Sequence, residues 1–159
     1  ETKRNFKIFE TSLFKKNSNF KNHKLTEVKA IDWQRARLWA QQFAMEADPP
    51  MNSTAIIQMA KQMHSSDNLF MLYDSRNFPC AMAGFGRFTD HYSVINLVYV
   101  PIDMRGLGIG KELIIRMTSC ARKLGYKECL LFSEWMGSKN LYKDMGCKIL
   151  GRYAEYDLV

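Results

Sequence analysis

The sequence has few cysteines and histidines and no long apolar run, and each shortage excludes a class of protein. Its four cysteines are dispersed and form no C-x-x-C pair, so a zinc site is not expected. Three of them lie among apolar neighbours, which favours buried thiols in a reducing, cytoplasmic compartment. Without a stretch of about 18 apolar residues, no membrane-spanning helix is predicted. The three histidines show no spacing that would pair one of them with a cysteine nucleophile.

The composition is that of one globular domain. The chain has 159 residues, 47% of them hydrophobic and 25% charged, which is enough to bury a core without disulfides or metal. Much of the net charge of +7 lies in the first 29 residues. Residues 1–23 are therefore predicted to be a basic arm or linker, with a possible short strand over 5–14, and residues 24–159 the domain proper. A solvated arm is favoured over a nucleic-acid patch, because no nucleic-acid motif accompanies it.

A glycine-rich turn is the most informative part of the sequence. Residues 105–110 read R-G-L-G-I-G and lie between a strand-like run at 94–100 and a helical pattern. The unpaired N–H groups that begin such a helix can hold an anion, and glycines let a phosphate approach the backbone. The spacing fits neither the dinucleotide fingerprint, since residue 113 is Leu, nor the phosphate loop, since Glu112 follows Lys111. On these residues alone, a glycine-rich connection without a ligand stays an alternative.

Hydrophobic periodicity and turn residues predict the order β-α-α-β-β-β-α-β-α-β. The three strands before the glycine turn are expected to form a meander, and the strand after its helix to run parallel to the last of them. The helices are predicted from Asp32, from about Ser53, after the glycine turn and over 138–145; the strands are predicted at 24–28, 69–73, 80–88, 94–100, 128–133 and 148–158.

These residues resemble the GNAT superfamily of N-acetyltransferases. Arg105, Gly108 and Gly110 fill its R/Q-x-x-G-x-G/A turn, and residues 141–147 are similar to its L-Y-x-x-x-G-F segment. The strand V-Y-V-P at 98–101 and the pair E-Y at 155–156 resemble bacterial-type members with a V-Y-T-P strand. The resemblance implies a mixed α+β fold: a mostly antiparallel sheet of about six or seven strands, flanked by about four helices.

The resemblance also implies acetyl-CoA as co-substrate, no metal, and direct transfer of the acetyl group to a primary amine in a ternary complex. The acceptor is expected to be a small molecule or a protein, and a homodimer is possible. In such proteins the strand before the turn holds the pantetheine arm, and a backbone N–H, here that of Val100, stabilises the oxyanion. The cofactor-binding residues implied are Val98, Tyr99, Val100, Arg105, Gly106, Leu107, Gly108, Ile109, Gly110, Lys111, Asn140, Tyr142 and Lys143.

Tyr142 occupies the position of the family's general acid, which would protonate the departing thiolate. The base that deprotonates the amine is left open between Glu134 and His91, with Asp90 beside the latter. Glu46 and Asp48 are weaker candidates for binding a cationic acceptor. The loop at 134–138 is shorter than in many members, and Cys147 replaces the final Phe of the second segment. A catalytically silent acyl-CoA-binding or regulatory domain is therefore the alternative function.

Overall fold

The structure is a computed structural model and describes residues 3–11, 18–133, 142, 145 and 147–156. Three single-turn 3-10 helices, Ser18–Phe20, Ala30–Asp32 and Ile102–Met104, interrupt the loops. The described helices are α1 (Trp33–Glu46), α2 (Ser53–Ser65) and α3 (Ile109–Lys123). The strands are β1 (Lys3–Thr11), β2 (Lys24–Glu27), β3 (Leu69–Tyr73), β4 (Pro79–Phe88), β5 (Tyr92–Tyr99), β6 (Glu128–Ser133) and β7 (Lys148–Tyr156).

All seven strands belong to one mixed sheet, in the order β2-β3-β4-β5-β6-β1-β7. Neighbouring strands are antiparallel except β5 and β6, which are parallel and joined through α3. The predicted meander, the parallel crossover and the mixed α+β fold class are thus confirmed. The helix predicted over 138–145 lies outside the described residues apart from Tyr142 and Met145.

Helices cover both faces of the sheet, and the apolar residues of β3 pack against both layers of helices. All five of its residues are buried. Phe70 and Leu72 pack into the core beneath α3, whereas Leu69, Met71 and Tyr73 pack beneath α1 and α2. A strand buried on both faces cannot alternate apolar and polar residues, which explains its continuous hydrophobic sequence.

The helices begin close to their predicted residues, with one difference at α1. Asn52 caps α2 as a side-chain acceptor, with its Oδ1 3.0 Å from the backbone N of Ala55. Asp32 occupies the N-cap position of α1, but its carboxylate does not cap the helix. It instead accepts a 2.6 Å hydrogen bond from the hydroxyl of Tyr73, which ties the start of α1 to the sheet. None of the described helices combines the length and the hydropathy needed to cross a membrane.

The position of the first strand is the main difference from the sequence-based expectation. β1 overlaps the possible short strand predicted at 5–14, but it lies inside the sheet, between β6 and β7, rather than in an arm before the domain. Phe9 and Thr11 are completely buried, and the Thr11 hydroxyl lies 2.8 Å from that of Thr118 on α3. The basic residues of this segment suggested an arm, but a paired strand can carry them while alternate residues face the core.

Candidate functional site

Two parallel strands separate at the centre of the sheet. The register between β5 and β6 runs from Tyr92 opposite Glu128 to Ile95 opposite Leu131. Beyond that point β6 continues beside β1, with Phe132 opposite Ile8, while β5 continues to Tyr99. In the described part of the chain, no strand pairs with β5 on that side after Ile95. The separation presents backbone N–H and C=O groups of β5 to a ligand.

A β-bulge in β5 lies where the strands separate. Met82 on β4 is opposite Tyr99, whereas Gly84 is opposite Asn96, so β5 carries an extra residue. Leu97 adopts a φ of 53°, and its N–H donates a 2.8 Å hydrogen bond to Oδ1 of Asn96. Because Leu97 is buried, the bulge is anchored in the core. It therefore fixes the direction in which β5 leaves its neighbour.

The side chains after the bulge point to both faces of the sheet. Val98 and Val100 are half-buried and pack against the core beneath α3. Tyr99 belongs to the core beneath α1, and its hydroxyl donates a 3.0 Å hydrogen bond to Oε1 of Gln42. Val98 and Tyr99 thus lie on the segment of β5 that has separated from β6, and Val100 directly follows it.

The glycine turn leads from β5 into α3. Gly106 and Gly108 have φ values of 81° and 86°, and Gly108 is the N-cap residue of the helix. These are left-handed conformations that side-chain-bearing residues rarely adopt. The first backbone N–H groups of α3, including those of Gly110 and Lys111, have no intrahelical acceptor. Leu107 and Lys111 are exposed, so the turn is open to solvent and suited to an anion.

Arg105 is already paired with protein groups. Its Nε donates a 2.8 Å hydrogen bond to the Val100 carbonyl, and its guanidinium lies 2.8 Å from the Glu46 carboxylate. The same guanidinium lies over the Tyr99 ring, 5.4 Å from its centroid. Arg105, one of the cofactor-binding residues implied by the family resemblance, therefore holds the end of β5 and the end of α1 together. Lys111 is the exposed cation on the first turn of α3.

Arg116 is a further cation close to the glycine turn in sequence, and it is paired with protein groups. Arg116 forms a 2.9 Å ion pair with Glu112, whose side chain is only 1% exposed. Its other nitrogens donate 2.6 Å hydrogen bonds to the carbonyls of Phe20 and His23. Arg116 therefore fastens the segment before β2 onto α3. The Phe20 ring then lies against the turn, 3.7 Å from where a Cβ at Gly108 would be.

Tyr142 lies near the core formed by β1 and α3. Its ring centroid is 5.6 Å from that of Phe9, and its backbone carbonyl accepts a 2.9 Å hydrogen bond from the N–H of Cys147. Burial raises the pKa of the Tyr142 hydroxyl to about 12. The phenol is consequently protonated at physiological pH, as a proton donor must be.

The structure locates His91 and Asp90 but does not describe Glu134. His91 and Asp90 are exposed and precede β5 at the end opposite the bulge. At about 3.3 Å per residue, His91 lies roughly 20 Å along the strand from Leu97. The structure therefore does not bring His91 to the separated strands. Glu134, together with the predicted cofactor contacts Asn140 and Lys143, lies outside the described residues.

An arginine of β1 contacts the loop between α1 and α2. The Arg4 guanidinium donates hydrogen bonds to the carbonyl of Pro49 and, at 3.2 Å, to that of Pro50. This loop also contains Asp48, which is exposed, and follows Glu46 at the end of α1. Sequence reasoning missed this contact because 45 residues separate Arg4 from Pro49. The only sequence signal is the alternation of Arg4, Phe6 and Ile8 on one face of the strand.

Comparison with known proteins defines the class to which this fold and site belong. The sequence profile described as "Acetyltransferase (GNAT) domain" matches residues 45–155, which include the bulge, the glycine turn and Tyr142. The chain belongs to the GNAT acetyltransferase family. A search of curated proteins gave no match.

Solved structures share this fold at low sequence identity. A GCN5-related N-acetyltransferase from Sphaerobacter thermophilus is 16% identical with a TM-score of 0.67, over 95% of this chain and 50% of that one. A GNAT acetyltransferase from Colwellia psychrerythraea is 16% identical with a TM-score of 0.68, over 97% and 56%. A GNAT acetyltransferase from Brucella melitensis, in complex with acetyl-CoA, is 16% identical with a TM-score of 0.57, over 81% and 88%. The chain thus spans about half the length of the first two proteins.

Proposed function

We propose that this protein transfers the acetyl group of acetyl-CoA to a primary amine by direct attack in a ternary complex. The observation that carries the proposal is the separation of β5 from β6 beside a helix that begins at a left-handed glycine. The separated part of β5 provides a strand edge for the amides of the pantetheine arm. The start of α3 provides an anion site for the pyrophosphate. The Brucella melitensis structure, a member of the same family with acetyl-CoA bound, supports this choice of co-substrate.

The cofactor's phosphates would bind at the start of α3. The backbone amides from Leu107 to Lys111 and the Lys111 ammonium provide donors and charge. The pantetheine amides would hydrogen-bond to the backbone of Val98 to Val100, at the end of β5, in the manner of an added strand. The thioester carbonyl would then lie near the N–H of Val100. In comparable sites such a donor is worth about 3 kcal/mol of transition-state stabilisation.

In the transfer step the amine nitrogen forms a bond to the carbonyl carbon, and the carbon–sulfur bond breaks. Tyr142 would donate its hydroxyl proton to the departing sulfur. Because the pKa of Tyr142 is raised to about 12 and that of a thiol is about 8.5, complete transfer to sulfur is uphill. We therefore expect the phenolate to recover a proton at once from the nitrogen, directly or through water. This would make Tyr142 a relay as well as an acid.

A binding-only function is the second candidate, and one observation favours it. Of the two candidate bases, His91 lies at the end of β5 far from the separated strands, and Glu134 lies outside the described residues. A domain of this kind would bind acetyl-CoA without transferring its acetyl group.

Amine-dependent release of CoA separates the two functions. The protein is incubated with acetyl-CoA and a panel of polyamines, aminoglycosides, amino acids and lysine peptides, and thiol release is followed with a chromogenic disulfide. We expect release with at least one amine, and a loss of that release in Tyr142→Phe with acetyl-CoA binding retained. Tight acetyl-CoA binding with no release for any amine would favour the binding-only function.

A further inference from the structure

One face of the sheet is accessible over β6, β1 and β7. Phe9 and Leu131 pack into the core beneath α3, so their strand neighbours Ile8 and Phe132 face the opposite side. On that side α1 and α2 cover β3, β4 and β5. Phe132 is 42% exposed, so a ligand can reach this part of the sheet.

Three aromatic rings surround a recess on this face. Phe6 on β1 is opposite Tyr153 on β7, and their ring centroids are 5.9 Å apart. Tyr153 is 47% exposed, and its ring centroid lies 6.0 Å from that of Phe132 across β1. Gly151 is opposite Ile8, and among the described residues a Cβ at Gly151 would meet only the Ile8 side chain, at 3.9 Å. The absent side chain at Gly151 therefore leaves room beside the rings. The recess is formed by Phe6, Ile8, Phe132, Gly151 and Tyr153.

The recess is apolar, and charged residues lie only at its two ends. Arg4 is opposite Glu155 at one end, and Glu10 is opposite Lys148 at the other. Each end thus carries one positive and one negative side chain, and the five residues between them carry no charge. Such a surface suits the uncharged part of a ligand, because burying an unpaired ammonium group there would be costly.

The recess begins where β6 leaves β5. Phe132 directly follows Leu131, the last residue of β6 that is paired with β5. Tyr142 lies against Phe9 on the α3 face, so the proposed proton donor approaches the gap from that face. The opposite face of the gap, which carries the recess, would then be open to the acceptor amine. At about 3.3 Å per residue and about 4.8 Å between strands, the recess lies on the order of 10 Å from the N–H of Val100.

We propose that the recess binds the uncharged end of the acceptor, and that the acceptor is a primary amine with an aromatic ring on a flexible chain. The inference rests on the proposed acetyl transfer and names the class of amine that the same site accepts. Contacts with three rings favour an aromatic group over an alkyl group of similar size, because aromatic pairs gain energy beyond the area they bury. Since about 10 Å separates the recess from Val100, several bonds must join the ring to the nitrogen.

A series of phenylalkylamines, from benzylamine to 6-phenylhexylamine, tests the acceptor class against ethylamine. The rate of CoA release gives kcat/KM for each amine. We expect kcat/KM to rise with chain length and, for the best compound, to exceed that of ethylamine by at least about tenfold, as burial of an aromatic ring allows. If ethylamine is acetylated as well as every phenylalkylamine, the acceptor class is wrong although acetyl transfer stands.

Filling the recess tests its location. The backbone of Gly151 is not left-handed, so Gly151→Val is compatible with the strand. We expect this variant to raise KM for the best phenylalkylamine by at least about tenfold, with no change in acetyl-CoA affinity or in kcat/KM for ethylamine. Arg152→Val is the matched control, since Arg152 is opposite Lys7 and faces the other side of β7. Equal effects of the two substitutions on KM would overturn the proposal. Melting temperatures confirm that both variants are folded.

Direct binding distinguishes a failure of this inference from a failure of the proposed function. Isothermal titration calorimetry follows 4-phenylbutylamine binding to the wild-type protein and both variants, with and without CoA. If no amine releases CoA, acetyl transfer is wrong. Binding that is lost in Gly151→Val and kept in Arg152→Val would even then support the recess as a site for aromatic amines. No binding to the wild-type protein, or binding that Gly151→Val leaves unchanged, would overturn the inference.

Discussion

Replacing Gly108 by Ala tests the role of the turn that begins α3. Gly108 has a φ of 86°, which costs an alanine about 1–2 kcal/mol relative to glycine. A Cβ there would meet its nearest neighbour, the Phe20 ring, at 3.7 Å, an ordinary contact. No steric clash with the described residues adds to the backbone cost. For a domain of this size, the melting temperature should therefore fall by about 2–8 °C.

The effect on cofactor affinity is expected to be larger. We expect alanine to turn one of the first backbone N–H groups of α3 away from the phosphate. The lost hydrogen bond to a charged group is worth about 1.5–3 kcal/mol. The dissociation constant for acetyl-CoA should rise by roughly 10-fold to 150-fold. Isothermal titration calorimetry measures it, below the melting temperature of the variant.

Gly125→Ala is the matched control for this prediction. Gly125 has a φ of 100° and lies just after the other end of α3. A Cβ at this position would meet no atom of the described residues within 4 Å. The substitution should lower the melting temperature by a similar amount and leave acetyl-CoA affinity unchanged. Similar affinities in the two glycine variants would refute the assignment of the turn as the phosphate site.

Three further predictions concern single side chains. Tyr142→Phe should lower kcat by at least tenfold with little change in the acetyl-CoA dissociation constant. Burial raises the pKa of Tyr142 to about 12. The pH–rate profile of the wild-type protein should therefore show no loss of this acid below about pH 11. Arg116→Ala removes the guanidinium that pairs with the buried Glu112 carboxylate, and it should lower the free energy of unfolding in urea by about 3–5 kcal/mol. Arg122→Ala, at the more exposed pair with Glu128, should have a smaller effect. Arg4→Ala should speed amide hydrogen exchange in the loop at 47–52, with Arg4→Lys intermediate; exchange rates like those of the wild-type chain would exclude Arg4 as a restraint on that loop.

The parts of the fold that depend on local pattern could be predicted from the sequence. The apolar run of β3 and the glycines before α3 carry their signals within a few residues, and both predictions are confirmed. The parallel pairing of β5 and β6 follows from the length of the helix between them. These features position the candidate site.

The contacts that could not be predicted join residues far apart in sequence. Arg105 is expected from its motif to serve a phosphate, but its partner Glu46 lies 59 positions earlier. The position of β1 depends on pairing with β6 and β7, at the other end of the chain. Spacing alone could not show that His91 lies at the end of β5 away from the bulge, because the pairing of β5 with β4 sets the position of the bulge. The ion pair depends on how α1 packs beside β5, and the other two depend on strand register, rather than on local preference.

Thermal unfolding with acetyl-CoA, CoA and NAD tests whether the protein binds coenzyme A at the turn between β5 and α3. At a concentration 100 times its dissociation constant, a ligand of the native state adds about 2.7 kcal/mol of stability. For a domain of this size, that corresponds to a rise of about 5–11 °C in melting temperature. We expect this rise with acetyl-CoA and with CoA, and none with NAD at the same concentration. No rise with acetyl-CoA, or an equal rise with NAD, would contradict a coenzyme A site at the turn between β5 and α3.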